Sequence, residues 1–358
     1  MIRSSGIPRA APPQTTPRSP QFHLPRLRHV PRAVRNARLV LIALAVPLVG
    51  LIALSIGSVQ ISPVDVWAAL VHPSAGGGAH TIVWDLRLPR VLIAMAVGAG
   101  LGLAGALLQT LFRNPLVDPY ITGVSAGAAV AAAAGFTLGL AFAFIPALAF
   151  AGGLLCAAIV AAIGSGDSAS GNLRLVLAGV AISALASALV MLILLQRGSD
   201  SSLGILAWLA GGINGRGWSD LGPMAAYLAV ATVLAFAQVH TVNLLRLGNA
   251  AAQGFGLRLT AARWQILATA SLITAACVAV SGVVGFVGLM VPHAIRRLVS
   301  GDARWLLAGS ALGGAIVVVV ADVLARTVMA PAEVPLDVLL AFVGVPFFLL
   351  VARRPVEL

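Results

Sequence analysis

The side chains best suited to ionic recognition in this sequence are three arginines, Arg87, Arg90 and Arg326, each beside a long apolar segment. A guanidinium group forms paired hydrogen bonds with a carboxylate, which fixes orientation as well as adding binding energy. The span assignment below places all three at the outer face, where arginine is disfavoured. Two interpretations stay open: snorkelling to lipid phosphates, and a ring of basic sockets for an acidic partner.

An acidic residue accompanies the third arginine. Asp322 lies in an apolar run four residues before Arg326, which is the spacing of an ion pair within one helix. An ionisable group inside a membrane span is costly and usually faces protein. The intrahelical pair therefore competes with docking for Arg326, although one arginine can do both.

A polar, proline-containing segment, "RNPLVDPYITG" from Arg113 to Gly123, interrupts the apolar text. Pro115 and Pro119 both block helix continuation and push the preceding residue toward an extended conformation. Irregular backbone at membrane depth survives only when it is buried in protein or faces a water-filled cavity. The segment is either a cytoplasmic turn anchored by one arginine or a constriction at the inner mouth of a pathway.

Metal chemistry has little support in the sequence. His293 stands alone beside the helix-kinking Pro292, and no second histidine, cysteine or carboxylate lies at ligand spacing. Cys156 and Cys277 lie far apart in apolar runs, which is typical of packing residues. We expect no metal site and no cofactor in this chain.

Composition defines the elements that must position these residues. The chain has 358 residues, of which 59% are hydrophobic and 9% charged, and a mean hydropathy of +1.00. Soluble domains carry about 25% charged residues, so the solvent here must be the bilayer. The apolar segments are continuous rather than alternating, which excludes a membrane barrel. The predicted fold is all-α, a polytopic membrane protein with about ten transmembrane helices.

The hydrophobic runs predict the spans, with 264–299 readable as one long broken segment. Residues 1–37 form a basic leader, which we expect to be disordered. Such a leader and an even number of spans predict that both termini lie in the cytoplasm. The alternatives for such a leader are nucleic-acid binding and a transit peptide, and we expect neither. Ser62 or Pro63 should begin a short outer helix, and 200–215 should form another. The predicted spans are 38–57, 91–111, 120–139, 142–163, 174–196, 221–240, 264–284, 285–299, 304–328 and 336–352.

Three blocks resemble one transporter family: 85–131, which contains the proline segment; 281–315, with "SGVVGFVGLMVPHAIRRL"; and 321–354, with "EVPLDVLLAFVGVPFF". They are similar to FecCD-type permeases, the membrane subunits of ABC importers for ferric siderophores, haem and cobalamin. The resemblance covers about 40–354, so the permease domain is 38–354. It implies a multi-pass protein of the bacterial inner membrane that pairs with a second copy or a paralogous permease, two ATPase subunits and a periplasmic or lipid-anchored substrate-binding protein.

The resemblance also implies residue roles. The three arginines match positions that dock glutamates of the binding protein. A cytoplasmic gate would comprise Asn114 and Leu116, with Asn172 and Leu173 as the nearest matches to a second gate segment. The ATPase-coupling segment is 241–258, a helix and a glycine turn, with the contact residues Leu244, Leu247, Gly248, Phe255 and Gly256. Glu333 and Pro335 match a block of loop and packing residues.

Other function classes fit less well. An ion-gradient-driven secondary transporter usually has acids or unwound polar helix centres at mid-membrane, and only Asp322 approaches that. A membrane enzyme would need a nucleophile, metal or phosphate motif, and a Walker motif is also lacking. ATP and Mg²⁺ would therefore act on the partner ATPase. The form "VDPYITG" differs from the "DPGL" form associated with haem permeases and favours a siderophore cargo, while haem and cobalamin stay open. Spans three, five and eight should line its path.

Overall fold

The computed structural model describes residues 31–57, 59–72, 77–164, 171–196, 199–299 and 301–352. Within those ranges the chain forms helices and no strand. A π-helical turn spans Ile82–Arg87, and 3₁₀ turns span Pro119–Thr122 and Phe142–Phe144. The α-helices are α1 (Arg32–Ser55), α2 (Pro63–Val71), α3 (Gly78–Thr81), α4 (Leu88–Leu111), α5 (Val124–Thr137), α6 (Ile145–Gly164), α7 (Gly171–Leu195), α8 (Ser199–Leu209), α9 (Trp218–Ala237), α10 (Val239–Arg246), α11 (Asn249–Gly254), α12 (Leu259–Ser281), α13 (Val287–Leu298), α14 (Ala303–Thr327) and α15 (Leu336–Ala352).

The predicted all-α, polytopic fold is confirmed. Each of the ten predicted spans contains a helix, and seven helices in the described part are long and apolar enough to cross a membrane. The other three, α5, α13 and α15, have 14, 12 and 17 residues. Helix α1 begins at Arg32, six residues before the predicted start of the first span, so Arg32 and Arg35 of the leader are helical. Residues 1–30 of the leader lie outside the described residues.

Helices α4 and α12 lie at the centre of the molecule. In each, 78% of the most apolar window is buried, against 22% in α1, α7 and α9. Small residues permit the closest contacts, since Gly98 on α4 and Gly314 on α14 each abut the other's backbone and leave no room for a side chain. Close backbone approach of this kind replaces the hydrophobic drive that lipid cannot supply. The tight packing of α14 against α4 therefore fixes the positions of the polar residues at the ends of these helices.

The predicted long segment 264–299 is broken in two. Helix α12 ends at Ser281, and Gly282 with a φ of 65° starts an irregular link that runs to Phe286. Side chains from other elements satisfy its backbone: the Tyr120 hydroxyl bonds both the N–H and the carbonyl of Val284, and Asp337 accepts from Gly285. Non-helical backbone inside a membrane protein requires such partners.

The short helix predicted to begin at Ser62 or Pro63 is confirmed as α2. Its N-cap is Ser62, whose hydroxyl accepts from the N–H of Asp65 at 3.1 Å, and Pro63 takes the first helical position. Both residues favour a helix start. The second predicted element, at 200–215, is confirmed only in its first part, because α8 ends at Leu209 and residues 210–215 are not helical.

Candidate functional site

The predicted functional residues gather at the two ends of α4. The helix has 24 residues, which at about 1.5 Å per residue separates its ends by roughly 36 Å. Arg87 and Arg90 lie at its N-terminal end, and Asn114 follows its C-terminal end. Arg326 joins the first group because α14 packs along α4. The arrangement is one basic, ionic end and one irregular, polar end joined by a buried rod.

Two of the three arginines are turned into the protein, where they cap the end of α1. Arg87 donates to the carbonyls of Leu54 at 2.6 Å and Ser55 at 3.2 Å, and also to that of Val59. Arg326 donates to the carbonyls of Ala53 and Ile56 at 3.3 and 3.2 Å. The last carbonyls of a helix have no partner within it, and cationic groups there are favourable. Both guanidinium groups are therefore structural caps in this conformation.

Arg90 is the ionic centre of this end. Its Nε and Nη2 face Asp322, with an Nη2–Oδ1 distance of 2.9 Å. Its Nη1 and Nη2 donate to the two carboxylate oxygens of Glu333, both at 2.9 Å. Asp322 also contacts Nε of Arg326 at 3.2 Å, which is the i,i+4 pair predicted from the sequence. Asp322 thus bridges two arginines and ties the start of α4 to α14.

These contacts modify the expectation for the three arginines. The structure brings them together, but each is partnered within the chain, so they are not the open sockets expected from the sequence. Glu333 was interpreted as a loop residue, and its pairing with Arg90 was missed. The only signal in the sequence was a carboxylate in a proline-containing segment after an arginine-bearing span, which does not identify a partner 243 residues away.

At the other end of α4, the proline segment forms a compact turn. Arg113 takes a positive φ of 51°, and the Asn114 side chain accepts from the N–H of Leu116 at 2.9 Å. This is an Asx turn, in which the asparagine stabilises the turn from within. Asn114 and Leu116 are both exposed. The predicted gate residues are therefore accessible on a conformationally fixed loop.

The turn is anchored to α13 and to the link before it. Gln109 donates to the carbonyls of Gly288 and Leu289, both at 3.0 Å. Pro119 packs against Gly288, and Tyr120 bonds Val284 as described above. The hydrogen bond of Tyr120 was not predicted, because nothing near it in the sequence identifies a backbone partner 164 residues away. Movement of the turn would therefore be transmitted to the α12–α13 link.

The second predicted gate segment lies only in part within the described residues. Residues 168–170 and the Asn172 side chain fall outside them. Leu173, in the first turn of α7, is exposed. Gly179 of α7 abuts Ile121 closely, which places this helix against the end of the proline turn.

The predicted coupling segment occupies the same end as the proline turn. It forms two short helices, α10 and α11. Gly248, with a φ of 107°, lies between them and packs against the Arg113 guanidinium. Leu244 is half-buried, whereas Leu247 and Phe255 are exposed, Phe255 by 70%. Gly256, with a φ of 83°, makes the predicted turn. Two large apolar side chains therefore project from a glycine-framed surface.

Charged groups behind this surface fix its position. The Asn243 amide donates to Asp302 at 2.9 Å, and Arg246 donates to the carbonyl of Gly301. Although burial by itself raises the pKa of Asp302, hydrogen bonds from Arg304 and Asn243 and the Arg304 charge lower it below its usual value. Burial lowers the pKa of Arg246, and the nearby Asp302 charge offsets part of that effect. These contacts connect α10 to the start of α14.

Within the described ranges, no three residues of the types His, Cys, Asp and Glu group together in a way that could hold a metal ion. His293 packs edge-on against Phe347, with the ring centroids 5.9 Å apart. Both cysteines are buried and unpaired.

The sequence and the fold of this chain are similar to those of known proteins. The hemin transport system permease protein HmuU of Yersinia pestis is 36% identical over 320 residues, which cover 87% of this chain and 95% of that protein. The iron(3+)-hydroxamate import system permease protein FhuB of Bacillus subtilis (strain 168) is 37% identical over 314 residues, 85% of this chain and 79% of that protein. A solved inward-facing structure of a metal-chelate type ABC transporter superimposes with a TM-score of 0.77 at 30% identity, covering 89% of this chain and all of that one. Residues 43–354 match the FecCD transport family, and the chain belongs to that family.

Proposed function

We propose that this chain is the membrane permease subunit of an ATP-driven ABC importer in the bacterial inner membrane, with both termini in the cytoplasm. It works beside a second copy of itself or a paralogous permease. Two ATPase subunits bind its cytoplasmic end, and a periplasmic or lipid-anchored substrate-binding protein docks at the outer end. The chain itself needs no cofactor, and ATP and Mg²⁺ act on the ATPase subunits.

The observation that carries this proposal is the polarity of α4. One end presents an ionic cluster around Arg90, and the other presents the proline turn beside α10 and α11. A subunit that receives cargo on one face and energy on the other needs two such distinct surfaces. The family match over residues 43–354 supports the same division.

The surface of α10 and α11 is suited to a protein partner. Leu247 and Phe255 are exposed apolar side chains, and aromatic residues are enriched at protein interfaces. They lie outside the described spanning helices, on a segment for which the alternative is an ordinary helix at the membrane interface. We assign this surface to the ATPase, which would pull or push α10 and thereby move the turn at Asn114 and Leu116.

The cargo proposed is a ferric siderophore, with haem and cobalamin as the alternatives. A cavity of about 220 Å³ between α5, α7 and α8 is lined by Ala, Val, Met and Leu side chains and Ser187. Uncharged, mostly apolar side chains suit the weak contacts that passage of a large, semi-polar chelate needs, although this cavity alone is smaller than the usual ligand pocket of about 300–1,000 Å³. Such walls differ from ion-gradient carriers, in which free acids line the path; here Asp322 is already paired with Arg90 and Arg326.

The test is uptake into proteoliposomes that contain this permease with the ATPase and the substrate-binding protein of the same importer. We expect uptake of a ⁵⁵Fe-siderophore that requires ATP and the binding protein. A Phe255→Asp variant should lose ATPase association and uptake, whereas Leu203→Asp, an equally exposed apolar position on α8, should keep ATPase association. Uptake that follows an ion gradient without ATP would refute the ABC assignment, and uptake of haem or cobalamin alone would refute the siderophore assignment.

A further inference from the structure

The Arg90 guanidinium binds two carboxylates that differ in solvent exposure. Its inner edge, Nε and Nη2, faces Asp322, whose side chain is 3% exposed within α14. Its outer edge, Nη1 and Nη2, is filled by Glu333, whose side chain is 32% exposed. One carboxylate is therefore a buried fixture, and the other is accessible from outside.

The segment that bears Glu333 can release it. Residues 328–333 are all exposed and form turns between α14 and α15. The backbone is pinned directly after Glu333 by a bond from the Val334 N–H to the carbonyl of Ala325 at 3.0 Å. A rotation of the Glu333 side chain alone would open the outer edge of Arg90, and the backbone anchor at Val334 would stay.

We propose that Glu333 is an internal competitor for docking: it occupies, on the outer edge of Arg90, the place of a carboxylate of the binding protein. Docking then exchanges one carboxylate for another on the same guanidinium. This inference rests on the proposed function, since it concerns the partner of that outer surface. It also distinguishes Arg90 from Arg87 and Arg326, which are committed to the carbonyls of α1 and cannot be released without uncapping that helix.

Such an exchange has a low cost because Asp322 stays in place. An Arg–carboxylate pair that loses one partner in a buried setting leaves an uncompensated charge, which is strongly unfavourable. Arg90 avoids that state, since Asp322 keeps both its charge and its orientation while Glu333 leaves. Discrimination also follows, because a protein without a carboxylate at this point does not replace the internal one.

The first test requires no partner. The purified permease is treated with phenylglyoxal, an arginine-specific reagent, and modification of Arg90 is followed by mass spectrometry. We expect Glu333→Gln to increase the rate at Arg90 about twofold to fivefold, the range that corresponds to an exposed ion pair. Asp85→Asn is the matched control, because Asp85 is an exposed carboxylate in the turn before α4 without an ion pair in the described structure. Equal rates in the two variants would overturn the inference.

The second test measures docking of the substrate-binding protein of the same importer, by surface plasmon resonance on the permease in nanodiscs. Glu333→Gln should tighten binding about twofold to fivefold, and the gain should vanish in an Arg90→Ala background. An unchanged or weaker affinity, or the same gain from Asp85→Asn, would overturn the inference. If the wild-type permease fails to bind that protein while Glu333→Gln still exposes Arg90 to phenylglyoxal, the proposed function fails and the internal pairing stands.

Discussion

Asp322 offers the sharpest test of how the Arg90 end of α4 is built. Its carboxylate accepts from Arg90 and Arg326, at 2.9 and 3.2 Å, and its side chain is almost fully buried. The Asp322→Asn substitution keeps the shape of the side chain but leaves two buried guanidinium groups without a shared counter-charge. Removing one partner of a buried ion pair costs about 3–5 kcal/mol.

That cost should be visible as a change in thermal stability. A change of 1 kcal/mol moves the unfolding midpoint by about 2–4 °C in a domain of 150–250 residues, so we expect Asp322→Asn to lower the midpoint by roughly 10 °C. The assay is thermal unfolding of the purified protein in detergent, followed by tryptophan fluorescence. Glu333→Gln is the matched control, since it removes a carboxylate from the same Arg90 at a position where a pair is worth about 0.2–1 kcal/mol.

The comparison refutes the reasoning if the two variants unfold at the same temperature. In that case burial would not distinguish the two carboxylates, and Asp322 would not be the fixture on which the exchange at Arg90 depends. A midpoint for Asp322→Asn that equals the wild-type value would be equally damaging, since it would show that Arg90 and Arg326 need no common anion.

Three further predictions concern packing, the α12–α13 link and pH. Gly98→Ala should sharply reduce folded yield and thermal stability, because a Cβ there collides with the Gly314 backbone. Gly222→Ala, at a helical position with open space around its Cβ, should change neither. Equal losses in the two variants would contradict the close α4–α14 contact. Tyr120→Phe should lower the free energy of unfolding by about 1–3 kcal/mol, because both hydrogen bonds to Val284 are lost. Tyr227→Phe, whose half-exposed ring stacks on Phe150, should lower it little. A larger loss from Tyr227→Phe would show that Tyr120 does not anchor the α12–α13 link. The folded-state pKa of Asp302 lies below the usual 3.8, so its charge adds stability that is fully present above about pH 4 and is lost as the pH falls through the lowered value. The free energies of unfolding of wild type and Asp302→Asn should therefore differ at neutral pH and converge in acid. A difference that grows in acid would contradict a lowered pKa for Asp302.

Local signals in the sequence predicted much of this arrangement. Hydrophobic run length located the ten helical segments, Ser62 and Pro63 marked the start of α2, and the four-residue spacing predicted the Asp322–Arg326 pair. Each of these depends on neighbours within one or two helical turns. The beginning of α1 was placed too late, because the arginines before residue 38 were interpreted as a disordered leader.

The contacts that the sequence analysis missed all join distant parts of the chain. Arg87 meets carbonyls of α1, Arg90 meets Glu333, and Tyr120 meets Val284. Each partner is either a backbone group, which every residue possesses, or a carboxylate in a loop with no distinguishing neighbours. The residue types at the Arg90 end of α4 were therefore predictable, but whether each guanidinium faces a partner protein or its own chain was not.

The central claim is that the Arg90–Glu333 end faces outward and the Asn114 turn faces the cytoplasm. It is tested by single cysteines introduced as Glu333→Cys and Asn114→Cys after Cys156 and Cys277 are replaced by alanine. The variants are labelled with a membrane-impermeant maleimide in right-side-out and inverted vesicles. We predict labelling of Glu333→Cys only in right-side-out vesicles and of Asn114→Cys only in inverted ones. Labelling of both positions in the same vesicle type would contradict the account.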